Sequence, residues 1–349
     1  MNPIMLSVSI MSLAIGTLIT LMSHHWLLAW IGLEINTLAI IPLMIKSHHP
    51  RSIEASTKYF LTQASASALL LFTCLFNAWL TGEWSITSLS HIPSLALSIA
   101  LMTKLGLAPM HFWLPEVLQG ITLPTGLILS TWQKIAPLTL LLQVSHLINL
   151  HLIFFISILS ALIAGWGGIN QTQIRKIMAF SSIGHLAWTM IIIKFSPDMA
   201  LFNFLIYIVT STAMFTPLIY MAATKMSDLS ISTTKAPALT VLTMLILLSL
   251  AGLPPLTGFS PKLMIISELI KQKIPSFSAL ILLASLLTLF FYLRLSYILS
   301  MTMPPNLPLS MTTWHLHNPS MLLMALLTTM AILLLPLSPT LLTITSFSH

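Results

Sequence analysis

The chain has 349 residues, is 56% hydrophobic and only 6% charged, and has a mean hydropathy of +0.96. Soluble domains carry about 25% charged residues, so an integral membrane protein of many helices is expected. The net charge of +7, from 14 basic against 7 acidic residues, sets topology in such a chain and does not point to nucleic acid. Cys74 is the only cysteine, which excludes thiolate-held iron–sulfur clusters, zinc–cysteine sites and a disulfide framework.

Met1-Asn2-Pro3 leads straight into an apolar run. It lacks the Arg- and Ser-rich amphipathic character of an imported precursor, so no cleavable presequence is expected. Apolar windows of about 20 residues place spans near 3–22, 26–45, 57–80, 93–118, 123–145, 149–169, 174–194, 199–223, 238–272, 276–299 and 321–343. The expected fold is all-α, a polytopic membrane protein of about eleven transmembrane helices. His24-His25 and His48-His49 fall at joints, lack a third ligand, and read as solvated ends. No Gly-rich phosphate loop, nucleotide fingerprint or soluble domain is visible, and no cofactor is expected in the chain.

The fourth and ninth spans are too long for one straight helix. The fourth contains MTKLGLAPMHFWLPEVLQG, residues 102–120, with a Gly-Leu-Ala-Pro interruption at 106–109 and a further Pro115. The ninth contains LAGLPPLTGFSPK, residues 250–262, where Ser260 is expected as N-cap and Pro261 at the first helical position. The interruptions fall at the fourth helix of helices 1–5 and the fourth of helices 6–10. Because five is odd, two such units lie upside down relative to each other. A single membrane domain, 1–349, is thus expected to hold a first repeat at 1–147, an inverted second at 148–300, and a loop with a last helix at 301–349. Gly/Pro-interrupted segments at matching positions of two halves are the best sequence pointer to a transporter's ion site.

Loop charges set the orientation. Lys46, Arg51, Lys58, Arg175, Lys176, Lys225 and Lys235 collect on the side of the N-terminus, against Lys194, Lys271 and Lys273 on the other. The N-terminus is therefore expected inside and the C-terminus outside.

Five ionisable residues lie near mid-span, one each on helices 2, 4, 5, 7 and 9: Glu34, Lys104, Lys134, His185 and Lys262. A charge at the bilayer centre costs about 2.5–3.5 kcal/mol on insertion scales, so its presence points to function. Lysine suits a proton site because desolvation and an approaching carboxylate move its proton affinity in opposite directions. Lys104 ends its half-helix, where the dipole favours a cation, and Lys262 opens its own, where the dipole opposes one. Structural readings stand beside these. Glu34 and Lys104 can be an ion pair joining two helices, and a buried His185 can be a satisfied core residue. His111 and Glu116 serve either proton access or support of the broken helix, and Arg294 snorkels or pairs.

Glu34 in WIGLEINTLAIIPL, Lys104 in MTKLGLAPMHFWLPEVLQG, Lys134 in STWQKIAPL, His185 in SSIGHLAW and Lys262 in AGLPPLTGFSPKL resemble the antiporter-like subunits of respiratory complex I (NADH:ubiquinone oxidoreductase). The resemblance covers essentially the whole chain. It implies that Glu34 pairs with Lys104, that Lys134 and His185 lead onward to Lys262, and that together they form a hydrated axis at the membrane midplane. It also implies that flavin, iron–sulfur clusters and ubiquinone belong to other subunits. The implied partners are other membrane-arm subunits, including neighbouring antiporter-like subunits and a lateral helix, and lipids such as cardiolipin. The implied location is the mitochondrial inner membrane. Bacterial relatives carry three more N-terminal helices than are read here. The reading is a proton-translocating subunit without redox chemistry of its own. The alternatives are a stand-alone sodium/proton antiporter and a structural spacer.

Overall fold

The computed structural model describes residues 3–47, 49–86, 88–235, 237–301 and 321–346. His48 and residues 302–320 of the joint expected at 300–320 lie outside the described residues. The fold is all-helical: among the described residues, extended pairing is limited to the isolated bridges His25–Ser85 and Gln173–Lys225.

The chain divides into two compact units, Met1–Ser160 and Ala161–His349. The first holds α1 (Pro3–Met22), α2 (Trp26–Met44), α3 (Pro50–Thr81), α4 (His91–Leu105), α5 (Trp113–Gly120), α6 (Leu123–Ser130), α7 (Trp132–Gln143) and the start of α8 (Leu150–Ile169). The second holds α9 (Ile174–Ile192), α10 (Pro197–Met221), α11 (Met226–Lys235), α12 (Pro237–Ala251), α13 (Phe259–Lys271), α14 (Pro275–Met301), α15 (Met321–Leu333) and α16 (Ser338–Ser346).

Among the described residues, α1, α2, α3, α8, α10 and α14 are each long and apolar enough to cross a membrane. The apolar pair Met324–Leu333 and Leu335–Thr343, bent by 69°, makes a seventh if it is one span. The helices carrying most of the mid-span charges are shorter or in pieces: α4 with α5, α6 with α7, and α12 with α13.

Four local differences from the sequence reading have physical causes. First, α3 starts at Pro50, ahead of its apolar window, because His49 caps it by accepting from the Arg51 amide and Pro50 suits the first turn. His25 caps α2 in the same way and stacks on Trp84, so neither histidine is merely a solvated end. Second, the expected joint at 224–237 contains α11, whose start is held by Asp228 accepting from the Thr224 and Lys225 amides. Third, the fifth expected span is split at Thr131, whose hydroxyl bonds back to the Leu127 carbonyl. Lys134 therefore lies in the first turn of α7 rather than inside a continuous helix. Fourth, α13 starts at Phe259, and Ser260 is not its N-cap: its hydroxyl donates to the Thr257 carbonyl.

Candidate functional site

In the first unit, α4 ends on Gly106 in the left-handed region, φ 80°. Its amide bonds back to the Met102 and Thr103 carbonyls, and the Leu107 amide reaches the Met102 carbonyl. This is the Schellman arrangement, which glycine adopts without Cβ conflict. The chain crosses to α5 through a cis Ala108–Pro109 bond. The Trp113 indole donates to the Thr103 carbonyl at 3.1 Å, a second internal partner beside the Gly106 amide.

Lys104 occupies the last turn of α4, is 5% exposed, and its ammonium has no hydrogen-bond acceptor among the described residues. It lines a small cavity of about 10 Å³ with Lys134, Asn36, Tyr59, Gln63, Gln133 and Trp113. Lys134, 3% exposed, enters from the start of α7. Gln133 fixes α7 to α2 by donating to the Asn36 carbonyl at 3.0 Å. Glu34 is half-buried on α2 and takes a bond from the Thr37 hydroxyl at 3.3 Å, and its neighbours Leu33, Asn36 and Thr37 line the same cavity. No ion pair within 4.0 Å joins Glu34 to Lys104, so the implied pair is not in direct contact.

His111 is buried in the break, with Nδ1 3.2 Å from the Pro109 carbonyl. Glu116 turns outward: its half-exposed carboxylate pairs with Lys58 at 2.8 Å, and Lys58 also pairs with Glu54 at 2.7 Å. Glu116 thereby ties α5 to α3. Neither His111 nor Glu116 is among the residues lining the lysine cavity.

The second unit repeats the backbone of the break. Gly252 takes φ 81°, its amide bonds to the Ser249 carbonyl, and the Leu253 amide reaches the Leu248 carbonyl. A cis Pro254–Pro255 bond follows at the spacing of Ala108–Pro109. Lys262 lies in the first turn of α13, yet its ammonium reaches back across the break and donates to the Ala251 carbonyl at 2.6 Å. It therefore rests at the carbonyl end of α12, where a cation is favoured, and not at the opposing end of its own helix.

Lys262 and His185 line one small cavity of about 10 Å³ with Ser181, Trp188, Thr288 and Tyr292. The ammonium lies 6.0 Å from the centre of the Trp188 ring, and the His185 ring packs 5.4 Å from Tyr207. The buried Tyr292 hydroxyl has no hydrogen-bond partner among the described residues. Arg294 lies outside this lining and donates to the Ile169 carbonyl at 2.7 Å.

The five mid-span residues thus fall into two local groups, Lys104 with Lys134 beside Glu34, and His185 with Lys262. The sequence reading missed the uncharged lining: Asn36, Tyr59, Gln63 and Gln133 in the first cavity, Ser181 and Tyr292 in the second. Mid-span amides such as Gln63 in FLTQASA are the signal that exposes them. Among the described residues, no group of three or more His, Cys, Asp or Glu could hold a metal ion.

Residues 23–288 match the family model described as NADH:quinone oxidoreductase/Mrp antiporter, TM, and residues 289–342 match NADH dehydrogenase subunit 2 C-terminus. The chain is 63% identical over 342 residues to NADH-ubiquinone oxidoreductase chain 2 of Aquarana catesbeiana, spanning 98% of this chain and 99% of that one. A chain of respiratory complex I from Thermus thermophilus superposes with a TM-score of 0.79 at 25% identity, covering 94% of this chain and 78% of that chain. A chain of the Mrp complex from Dietzia sp. shares the fold, with a TM-score of 0.84 at 18% identity over 97% and 76% of the two chains.

Proposed function

Since the chain belongs to the NADH:quinone oxidoreductase/Mrp antiporter transmembrane family, we propose that it is a proton-translocating membrane-arm subunit of respiratory complex I. Electron transfer from NADH to ubiquinone runs in other subunits, which carry flavin and iron–sulfur clusters. This chain contributes to the translocase without a redox site. It sits in the mitochondrial inner membrane beside other membrane-arm subunits, including neighbouring antiporter-like subunits and a lateral helix, with cardiolipin-like lipids around it. The N-terminus faces the matrix and the C-terminus the intermembrane space.

The finer architecture belongs to the same proposal. Eleven spans form two inverted five-helix repeats, 1–147 and 148–300, followed by a last helix in 301–349. Glu34, Lys104, Lys134, His185 and Lys262 act in that order as one midplane axis. His111 and Glu116 support the first break or give protons access to it.

The observation that carries the proposal is the duplicated device. Each of two broken helices holds a lysine at its break, and each lysine shares a cavity with a second titratable side chain, Lys134 or His185. Moving one charge against 100 mV costs about 2.3 kcal/mol. One unit of proton affinity corresponds to about 1.36 kcal/mol, so modest rearrangements of charge in a dry site supply energy of that order.

The test is Lys134→Met in the assembled complex, reconstituted in liposomes and driven by NADH. Protons moved per electron fall while assembly stays normal. An unchanged ratio in a fully assembled complex sinks the proposal in favour of a structural spacer. Ion exchange by the isolated chain in liposomes favours a stand-alone antiporter.

A further inference from the structure

The Lys262 ammonium and the Gly252 backbone occupy the same few ångströms. A Cβ built on Gly252 lies 2.7 Å from Lys262 Nζ, 2.8 Å from Cδ and 2.9 Å from Cε. Three atoms of one side chain thus lie inside the distance that real Cβ contacts keep. The Ala251 carbonyl that accepts from Nζ belongs to the preceding residue. Any side chain at 252 therefore crowds the lysine where it docks on its acceptor.

Gly106 at the first break differs here. It has the same left-handed conformation, φ 80° against 81°. Its added Cβ meets Leu114 Cδ1 at 2.9 Å and Trp113 Cζ2 at 3.2 Å, and no lysine atom is among the nearest three. The αL requirement explains glycine at both positions. The lysine contact is confined to Gly252.

We propose that Gly252 is a positioning residue for Lys262, its missing Cβ opening the berth in which the ammonium docks on the Ala251 carbonyl across the break. The cost of a side chain at 252 then has two parts, the left-handed backbone and the displaced lysine. The second part vanishes when the lysine stem is removed. Where the ammonium rests follows from the structure alone; its consequence for pumping rests on the proton-translocation reading above.

The experiment is a double-mutant cycle on the assembled complex with Gly252→Ala, Lys262→Ala and the double variant, read by thermal melting. Gly252→Ala lowers the melting temperature by more in the Lys262 background than in the Lys262→Ala background. Equal losses in both backgrounds overturn the inference and leave the αL requirement alone. If Gly252→Ala prevents assembly, recovery in the double variant supports the inference, and failure to recover overturns it. Protons per electron form a separate arm, measured in Gly252→Ala or, if that does not assemble, in Gly252→Asn, since asparagine tolerates the left-handed region. The ratio falls while NADH oxidation persists. A coupled cycle with an unchanged ratio keeps the positioning and counts against the pumping role.

Discussion

At the first break the Thr103 carbonyl is taken by the Trp113 indole; at the second the Ala251 carbonyl is taken by the Lys262 ammonium. The backbones are otherwise alike, with a left-handed glycine ending the first half-helix and the same two returning amide bonds. The two donors reach different carbonyls, Thr103 lying three residues before Gly106 and Ala251 directly before Gly252, and the two lysines are left differently engaged. Where an aromatic N–H meets the break, Lys104 keeps an uncommitted ammonium facing the cavity it shares with Lys134. Where no aromatic does so, the lysine itself becomes part of the scaffold. One device yields a free charge in one place and a docked charge in the other.

The largest expected effect breaks this comparison directly. Lys262→Met removes the charged donor to the Ala251 carbonyl, a bond of the class that contributes about 1.5–3 kcal/mol, and leaves a buried acceptor unpaired. Lys104→Met removes a buried ammonium that holds no carbonyl, so its effect on stability is smaller and can be favourable. Thermal melting of the two assembled variants checks this. Equal losses would show that Lys104 is as structural as Lys262.

Next in size is Trp113→Phe, which keeps most of the ring and removes the indole N–H. The Thr103 carbonyl then keeps only the Gly106 amide, and the lost second bond costs about 0.5–1.5 kcal/mol. Melting measures the loss, and a structure of the variant shows whether the Lys104 ammonium turns toward the break as Lys262 does. A fully stable variant would mean that the indole bond contributes little. Gly106→Ala is of similar size, about 1–2 kcal/mol, the ordinary penalty for a left-handed alanine, because the nearest clash is with a flexible leucine tip. A melting loss well beyond that range would show that the first glycine is sterically committed like the second.

The breaks were legible because their causes are local. Gly-Leu-Ala-Pro and Gly-Leu-Pro-Pro stop helices by backbone chemistry that needs no tertiary context. The charges were legible because an ionisable side chain in an apolar window stands out. The direction of Lys262 was not. Its position in the first turn of α13 suggests the wrong dipole, and only the path of residues 252–258 brings its stem back to α12. The amides were overlooked for a different reason: Asn36, Gln63 and Gln133 carry no charge and interrupt no apolar run. The start of α3 was hidden because its first turn, Pro50-Arg51-Ser52-Ile53, is polar enough to read as a joint. Helix α11 was hidden because MSDLSISTT is rich in residues of modest helix propensity. There the deciding contact is an acid that reaches backwards.

That acid provides the smallest expected effect, and a control that lies outside both breaks. Asp228 accepts from the Lys225 amide at 2.8 Å, the Thr224 amide at 2.9 Å and the Thr224 hydroxyl at 3.0 Å. The Lys225 amide bond, together with the Thr224 bonds and the Lys225 charge, holds its carboxyl below the ordinary carboxylate value. A carboxylate held low in the folded state adds stability above its unfolded value of about 3.9, and that contribution fades as pH falls through the lower folded value. Asp228→Asn keeps an oxygen acceptor and removes the charge, so the cost is a few tenths to about 1 kcal/mol. Hydrogen exchange at the Thr224 and Lys225 amides checks it: protection drops in the variant at neutral pH, while both breaks keep theirs. Loss of protection at Gly106 or Gly252 in the same variant would show that the breaks depend on the α11 cap. Their lysines could then no longer be explained by local donors alone.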